Sequence, residues 1–90
     1  MVRVRLNRDF VDILLARRNM SQNSLARMLG LSTGYMAQLM NGDRYPSPRL
    51  RQRILEILNP LSFDDLFIVE HVHEEDSTAS RAREARARGA

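Results

Sequence analysis

The chain has 90 residues, no cysteine and a formal net charge of +3, and all 14 of its cationic side chains are arginine. This length allows one small domain, and the lack of cysteine excludes a disulfide framework and a thiolate zinc site. No apolar run approaches the roughly 18 residues of a membrane span, and the N-terminal segment lacks the apolar stretch of a signal peptide. We therefore expect a soluble, cytoplasmic protein with no membrane partner.

Charge is unevenly distributed along the chain. Residues 1–69 carry ten arginines against six acids, residues 70–76 carry four acids, and residues 77–90 carry four arginines against one acid. A basic body favours a polyanionic partner, although many cytosolic domains of this charge bind none. The division predicts a domain at 1–69, an acidic extension at 70–76 that could form a strand, and an arginine-rich, low-complexity tail at 77–90 that we expect to be disordered.

Five short apolar stripes at helical spacing each follow a residue that is favoured as a helix N-cap. The predicted caps are Asn7, Ser21, Ser32, Ser47 and Ser62. Gly30 and Gly42 suit the left-handed residue that ends a helix, and Pro60 ends the fourth stripe. These signals predict helices at about 8–18, 22–29, 33–41, 48–58 and 63–67, joined by short links, and hence a compact all-α body.

The two flanks of this body alternate between apolar and polar residues. The segments VRVRL and FIVEHVH could each form a short terminal β-strand. Pairing them would set Arg3 and Arg5 near Glu70 and Glu74 and would tie the two ends together. Because a two-stranded sheet is marginal by itself, the sequence leaves this pairing open.

The stretch 21–42 fits a helix, a tight turn and a second helix. Gly30 permits the sharp turn, and the small Ala26 allows the two helices to cross closely. No acid lies between positions 32 and 42. The outer face of the second helix carries compact, neutral residues, namely Thr33, Gly34, Gln38 and Asn41. Such a face suits the major groove of DNA, because there it meets base edges and an acid would repel the phosphates.

The segment MSQNSLARMLGLSTGYMAQLMNGDRYPSP resembles the phage-repressor and Cro type of helix-turn-helix, in the family named for the xenobiotic response element regulators. The matching positions are Gln22, Leu25, Ala26, Gly30, Ser32, Met36, Gly42 and Pro46. The resemblance covers about residues 8–67 and implies a five-helix, lambda-repressor-like DNA-binding domain.

The resemblance also implies which residues contact double-stranded DNA. Gln22 matches a glutamine that touches DNA at the entrance of the groove. Thr33, Gly34 and Gln38 stand where members usually read bases, and Tyr35 lies beside them. Ser32, at the start of the same helix, is also counted among the DNA-binding residues. The residues that it implies at the sugar–phosphate backbone are Asn41, Arg44 and Arg49. Gln38 could pair with adenine and Thr33 could pack on a thymine methyl group, whereas the Tyr35 ring could instead simply pack on the domain surface.

The sequence departs from the family's pattern at two places. Gly34 has no side chain at a usual base-reading position, so either direct readout is poorer there or the backbone approaches the groove more closely. Leu15 and Met40 stand where many members pair an arginine of the first helix with a glutamate of the third. An apolar pair in place of a buried ion pair is usually neutral or stabilising, so we expect the fold to tolerate it.

Signatures of catalysis and of metal binding are weak. No nucleophile sits in a recognisable turn and no glycine-rich phosphate loop is present, so we expect no enzyme activity and no cofactor. His71 and His73 would share one face of a strand, as two metal ligands must. The sequence offers no third fixed ligand beside them, which favours a solvated acidic strand over a metal site.

The resulting hypothesis is a nucleoid-associated, sequence-specific transcriptional regulator, most simply a repressor that binds a palindromic operator as a homodimer. A candidate dimer surface is the helix at 63–67 with FIVEHVH, because Phe63, Phe67, Ile68 and Val69 crowd apolar area there. The alternative is a protein-interaction module, such as an antitoxin or an adaptor. In that case the C-terminal segment binds a partner protein, and DNA binding is secondary.

Overall fold

The computed structural model describes residues 1–72 and shows five helices flanked by two short strands. The elements are β1 (Val2–Leu6), α1 (Arg8–Arg17), α2 (Gln22–Leu29), α3 (Thr33–Asn41), α4 (Pro48–Ile57), α5 (Phe63–Leu66) and β2 (Phe67–His71). The predicted helix boundaries are therefore correct to within one residue. Within the described residues, no helix is long and apolar enough to cross a bilayer.

Every helix begins at its predicted cap, where a side-chain oxygen accepts a hydrogen bond from the backbone N–H three residues later. The acceptors and donors are Asn7 and Phe10, Ser21 and Ser24, Ser32 and Tyr35, Ser47 and Leu50, and Ser62 and Asp65. Asp65 also accepts from the Ser62 N–H at 3.1 Å, which completes a capping box. These local bonds satisfy N–H groups that would otherwise be unpaired at the helix ends.

The core lies where the inner faces of the helices meet. Its most deeply buried side chains come from all five helices and the turn that follows α4: Val11, Leu25, Met36, Leu39, Ile54, Leu58 and Leu66. Leu15 and Met40, the two positions that depart from the family's ion pair, are also buried in this apolar cluster. Hydrophobic packing therefore occupies the two positions at which the resemblance implies an ion pair in many members.

The two terminal strands pair into a two-stranded ribbon, so the pairing that the sequence left open is confirmed. β1 and β2 are antiparallel, with Leu6 opposite Phe67 and Val4 opposite Val69. Arg5 Nε lies 2.6 Å from a carboxylate oxygen of Glu70, which fulfils the predicted approach of β1 arginines to this acid. The ribbon thus fastens the first residues of the domain to the segment that follows α5.

β2 begins at Phe67, the first residue of the predicted strand segment FIVEHVH. The predicted helix at 63–67 also includes Phe67 and is wrong there, because the helix ends at Leu66 and the buried Phe67 ring pairs across the ribbon with Leu6. The strand then runs through the predicted boundary between the domain and its acidic extension at positions 69 and 70. The rest of that extension beyond position 72, including Glu74, and the predicted tail at 77–90 lie outside the described residues.

We predict that Met36→Ala destabilises the domain by about 2–5 kcal/mol, because the side chain is 0% exposed and its removal leaves a cavity. The matched control is Met28→Ala, since Met28 is 49% exposed and should change stability by no more than about 0.5 kcal/mol. Urea unfolding followed by circular dichroism measures both. Equal effects of the two substitutions would contradict the burial described above.

Candidate nucleic-acid interface

A tight turn joins α2 to α3 and sets the angle between them. Gly30 adopts a left-handed conformation with φ of 74°, and the next residue, Leu31, donates its N–H to the Ala26 carbonyl at 2.8 Å. Ser32 then caps α3. Because a left-handed residue is costly for any side chain with a Cβ, glycine is the residue that suits this position.

Burial divides α3 into an inner and an outer face. Met36, Leu39 and Met40 are buried in the core. The other face is solvent-exposed and carries the predicted contact residues Thr33, Gly34, Gln38 and Asn41. Because the apolar stripe of α3 packs into the core, the opposite face is exposed to solvent. This is the neutral, acid-free face that the sequence predicted.

Gly34 leaves an open space on this face. A Cβ built at this residue meets no neighbouring atom within 4 Å, and its backbone is ordinary helix. Packing within the domain therefore does not require glycine here. The absence of a side chain instead lets another molecule approach the backbone of the first turn of α3.

Arg44, Gln38 and Tyr35 form a cluster beside α3. The Arg44 Nε donates to Gln38 Oε1 at 2.9 Å, and the guanidinium carbon lies 5.5 Å from the centre of the Tyr35 ring. A cation at this distance from a ring face is attracted by the electrons of the ring. The structure thus joins three predicted contact residues, although the sequence offered no reason to expect Arg44 to touch Gln38.

Asn41 makes a contact that sequence reasoning missed. Arg8, the first residue of α1, donates from Nη1 to Asn41 Oδ1 at 3.0 Å, and it also lies 3.6 Å from Asp12. Arg8 is therefore an additional cation beside the C-terminal end of α3. A separation of 33 residues between the partners leaves no periodic signal by which the sequence alone could have paired them.

The N-termini of α3 and α4 face a common cleft of about 500 Å³. Its lining includes Ser32, Tyr35, Ser47, Arg49 and Arg53, together with the apolar side chains of Leu31 and Leu50. The structure thus brings the predicted backbone contact Arg49 to the same end of the interface as the start of α3. Backbone N–H groups and arginines at helix N-termini favour phosphate oxygens, so this cleft is suited to a sugar–phosphate strand.

Gln22 lies at the first position of α2 and is half-buried. The Ser32 hydroxyl accepts from the Tyr35 N–H at 3.0 Å, so its oxygen already has a structural role as a cap. The hydroxyl hydrogen of Ser32 can still donate to an external acceptor. Both residues are therefore compatible with the contacts that the resemblance implies.

The terminal ribbon holds the loop that follows α3. The Arg3 guanidinium carbon lies 5.2 Å from the centre of the Tyr45 ring, and Arg3 Nη1 donates to the Tyr45 hydroxyl at 3.5 Å. That hydroxyl in turn donates to Glu70 at 3.5 Å. Residues 44 and 45 are adjacent, so the same loop contacts the outer face of α3 through Arg44 and the ribbon through Tyr45.

Among the described residues, no group of three or more metal-binding side chains is present. His71 belongs to β2, whereas His73 lies outside the described residues. The candidate interface consists of amide, hydroxyl, aromatic and guanidinium groups. Groups of these kinds can form hydrogen bonds to bases and phosphates.

The fold agrees with a comparison to known families, in which a helix-turn-helix model matches residues 13–66. The chain belongs to this helix-turn-helix family. It is also similar to the uncharacterised HTH-type transcriptional regulator YvzC of Bacillus subtilis (strain 168), with 30% identity over 70 residues, which are 78% of this chain and 90% of that relative. No solved structure gives a significant match.

The family match confirms the resemblance inferred from the sequence. The helix-turn-helix chain is a DNA-binding transcriptional regulator and not an enzyme. The matched segment begins within α1 and ends with α5, so it contains all the residues of the candidate interface except Arg8.

We predict that Gly34→Ala raises the stability of the domain by about 0.5–1 kcal/mol, because alanine is the better helix former and its methyl group meets no clash. The same change should weaken binding to the preferred DNA site by about tenfold, because the methyl group would occupy space that the DNA uses, and a misfit of this kind costs about 1–3 kcal/mol. Thermal unfolding and fluorescence anisotropy measure the two effects. Unchanged DNA affinity in the stabilised variant would show that the DNA does not approach Gly34.

Proposed function

We propose that the protein reads a specific sequence in double-stranded DNA by placing α3 in the major groove. The observation that carries this proposal is the outer face of α3, which is exposed, neutral and flanked by Arg8, Arg44 and Arg49. An α-helix fits the major groove, where each base pair presents a distinct set of donors and acceptors. The three arginines suit the phosphates on either side.

The division of charge supports separate sources of affinity and of specificity. Cations that neutralise phosphates provide binding energy without regard to sequence, whereas hydrogen bonds to base edges select the sequence. On α3 the selecting groups are the amide of Gln38 and the hydroxyl and methyl groups of Thr33. In this proposal Gln22, Asn41 and the arginines position the helix on the backbone.

Gln38→Ala is expected to cost about 1–3 kcal/mol of binding at one base pair and to remove the preference at that position, because a bidentate amide contact is lost. The measurement is a titration of the variant against the preferred site and its single-base substitutions. Gln52→Ala, an exposed glutamine of α4, is the matched control and should leave every base preference unchanged. An equal loss on all sequences for Gln38→Ala would reject its role in base readout.

We further propose that the regulator is a homodimeric repressor and that the ribbon forms the dimer surface. One helix-turn-helix contacts only about 4–5 base pairs, so two copies are needed to define a rare site. Val2 and Val69 are 52% and 49% exposed, and the pairing register puts them on the same face of the ribbon. In the described residues β2 pairs only with β1, so its outer edge is available to a second copy.

Selection of bound sites from random DNA tests the dimer, and we expect a palindrome whose half-site centres are about 34 Å apart, one turn of the duplex. Val69→Asp should convert the protein to monomers in sedimentation analysis and should lower its affinity for the palindrome, because the carboxylate would be buried between copies. Val69→Thr keeps the side-chain shape without a charge and is the control. A monomeric wild-type chain with a single asymmetric site would overturn this part of the proposal.

The exposed valines also favour a second candidate function, a protein-interaction module such as an antitoxin or an adaptor. An apolar ribbon face continuous with an acidic segment could receive a different protein instead of a second copy. The two candidates differ in the site selection described above. A chain that enriches no DNA sequence but forms a stoichiometric complex with the product of a neighbouring gene would favour the interaction module.

A further inference from the structure

Arg44 is attached to residue 38 through both its side chain and its backbone. The Nε group donates to Gln38 Oε1 at 2.9 Å, while the Arg44 N–H donates to the backbone carbonyl of Gln38 at 3.2 Å. The Asp43 N–H donates to that same carbonyl at 2.9 Å. These bonds turn the chain back at the end of α3, so that the Arg44 side chain lies along the exposed face of the helix.

The Tyr35 ring supports the guanidinium group from one side. Its centre lies 5.5 Å from the Arg44 guanidinium carbon, and the ring itself is half-buried against the core cluster. Because Tyr35 and Gln38 are three positions apart, they lie next to each other on the helix surface. One planar cation can therefore touch the ring and the amide at the same time.

We propose that Arg44 is a positioning residue that fixes the orientation of the Gln38 amide and thereby sharpens the base preference of Gln38. This inference rests on the proposed function of α3 in base readout. An arginine N–H can only donate, so it selects the oxygen of the amide and turns Oε1 towards the loop. The Nε2 group is then directed away from the arginine, and the two ends of the amide can no longer exchange places.

The fixed amide keeps the groups that base recognition needs. A carbonyl oxygen has two lone pairs, so Oε1 can accept from Arg44 and from an adenine N6–H together. Nε2 keeps its N–H groups for adenine N7. Arg44 uses Nε for this contact, so the N–H groups on its two terminal nitrogens are available for a phosphate. Arg44 can thus contact a phosphate of the DNA backbone and orient the Gln38 amide at the same time.

A free glutamine on a helix surface samples several rotamers, and binding must select one of them. If Arg44 makes that selection before DNA arrives, the correct base gains about fivefold in affinity over its competitors compared with an unrestrained amide. A residue that only contacts phosphate would change all sequences by the same factor. This difference separates the positioning role from the phosphate contact that the family resemblance implies for Arg44.

The first test uses the full chain without DNA. ¹⁵N relaxation of the glutamine side-chain amides should show a restricted Gln38 amide in the wild type and a mobile one in Arg44→Ala. The amides of Gln22 and Gln52 should be unchanged. An equally mobile Gln38 amide in both proteins would overturn the inference without bearing on DNA binding.

The second test measures base preference with the preferred duplex and its single-base variants. The base pair read by Gln38 is identified as the one whose preference is lost in Gln38→Ala. Arg44→Ala should reduce that same preference about fivefold, in addition to weakening all duplexes. In the Gln38→Ala background, Arg44→Ala should reduce only the general affinity, because the group that it positions is absent.

Two further variants separate charge from orientation. Arg44→Lys retains a cation for the phosphate but lacks the planar group that contacts ring and amide together. It should keep the salt dependence of binding and still show the reduced base preference. Arg49→Ala should weaken all duplexes alike and flatten the salt dependence by about one unit of slope. Unchanged base preference in both Arg44 variants would overturn the inference.

The outcomes also distinguish this inference from the function on which it rests. A wild-type chain that binds no duplex at low salt would overturn both. Specific binding in which Gln38→Ala removes the preference at one base pair, while Arg44→Ala and Arg44→Lys leave it intact, would overturn the inference alone. In that case Arg44 would be a backbone contact, as the family resemblance implies.

Discussion

The left-handed turn at Gly30 is the constraint on which the rest of this domain depends. It ends α2, returns the chain through the bond from Leu31 to Ala26, and allows Ser32 to start α3 at once. Because the turn is short, the crossing angle of the two helices is fixed by backbone geometry and by the small, buried Ala26. The core then needs only one apolar stripe on α3, and the opposite face is available for contacts outside the domain.

The structure separates what the sequence can predict from what it cannot. Helix starts were predictable because each cap is a bond between residues three positions apart, and the caps at Ser21, Ser32 and Ser47 are independent of the remainder of the fold. The sequence leaves the pairing of the two terminal strands open because a two-stranded sheet is marginal by itself, and alternation does not show whether the core will support it. Contacts such as Arg8 with Asn41 depend on how whole helices pack, and arginine is common enough in this chain that spacing cannot single out one pair.

The candidate site was predictable to a similar extent. The residues of the candidate site follow from the pattern of α3 and from the resemblance to a family, and the structure keeps Thr33, Gln38 and Asn41 on the exposed face. The contacts between the residues of the site were not predictable. The sequence treats Gln38 and Arg44 as separate contacts of different kinds, one to a base and one to a phosphate, whereas the structure joins them by a hydrogen bond. The side-chain conformation in the loop decides this, and no residue pattern encodes it.

The loop after α3 also connects the terminal ribbon to the outer face of α3. Tyr45 touches Arg3 and Glu70 of the ribbon, while its neighbour Arg44 touches the outer face of α3. If two copies associate through their ribbons, the position of this loop is determined partly by the dimer contact. Half-site spacing and the orientation of the Gln38 amide would then depend on the same few residues. A domain this small has little core to spare, and a single loop that contacts both the outer face of α3 and the ribbon links these two surfaces without further packing.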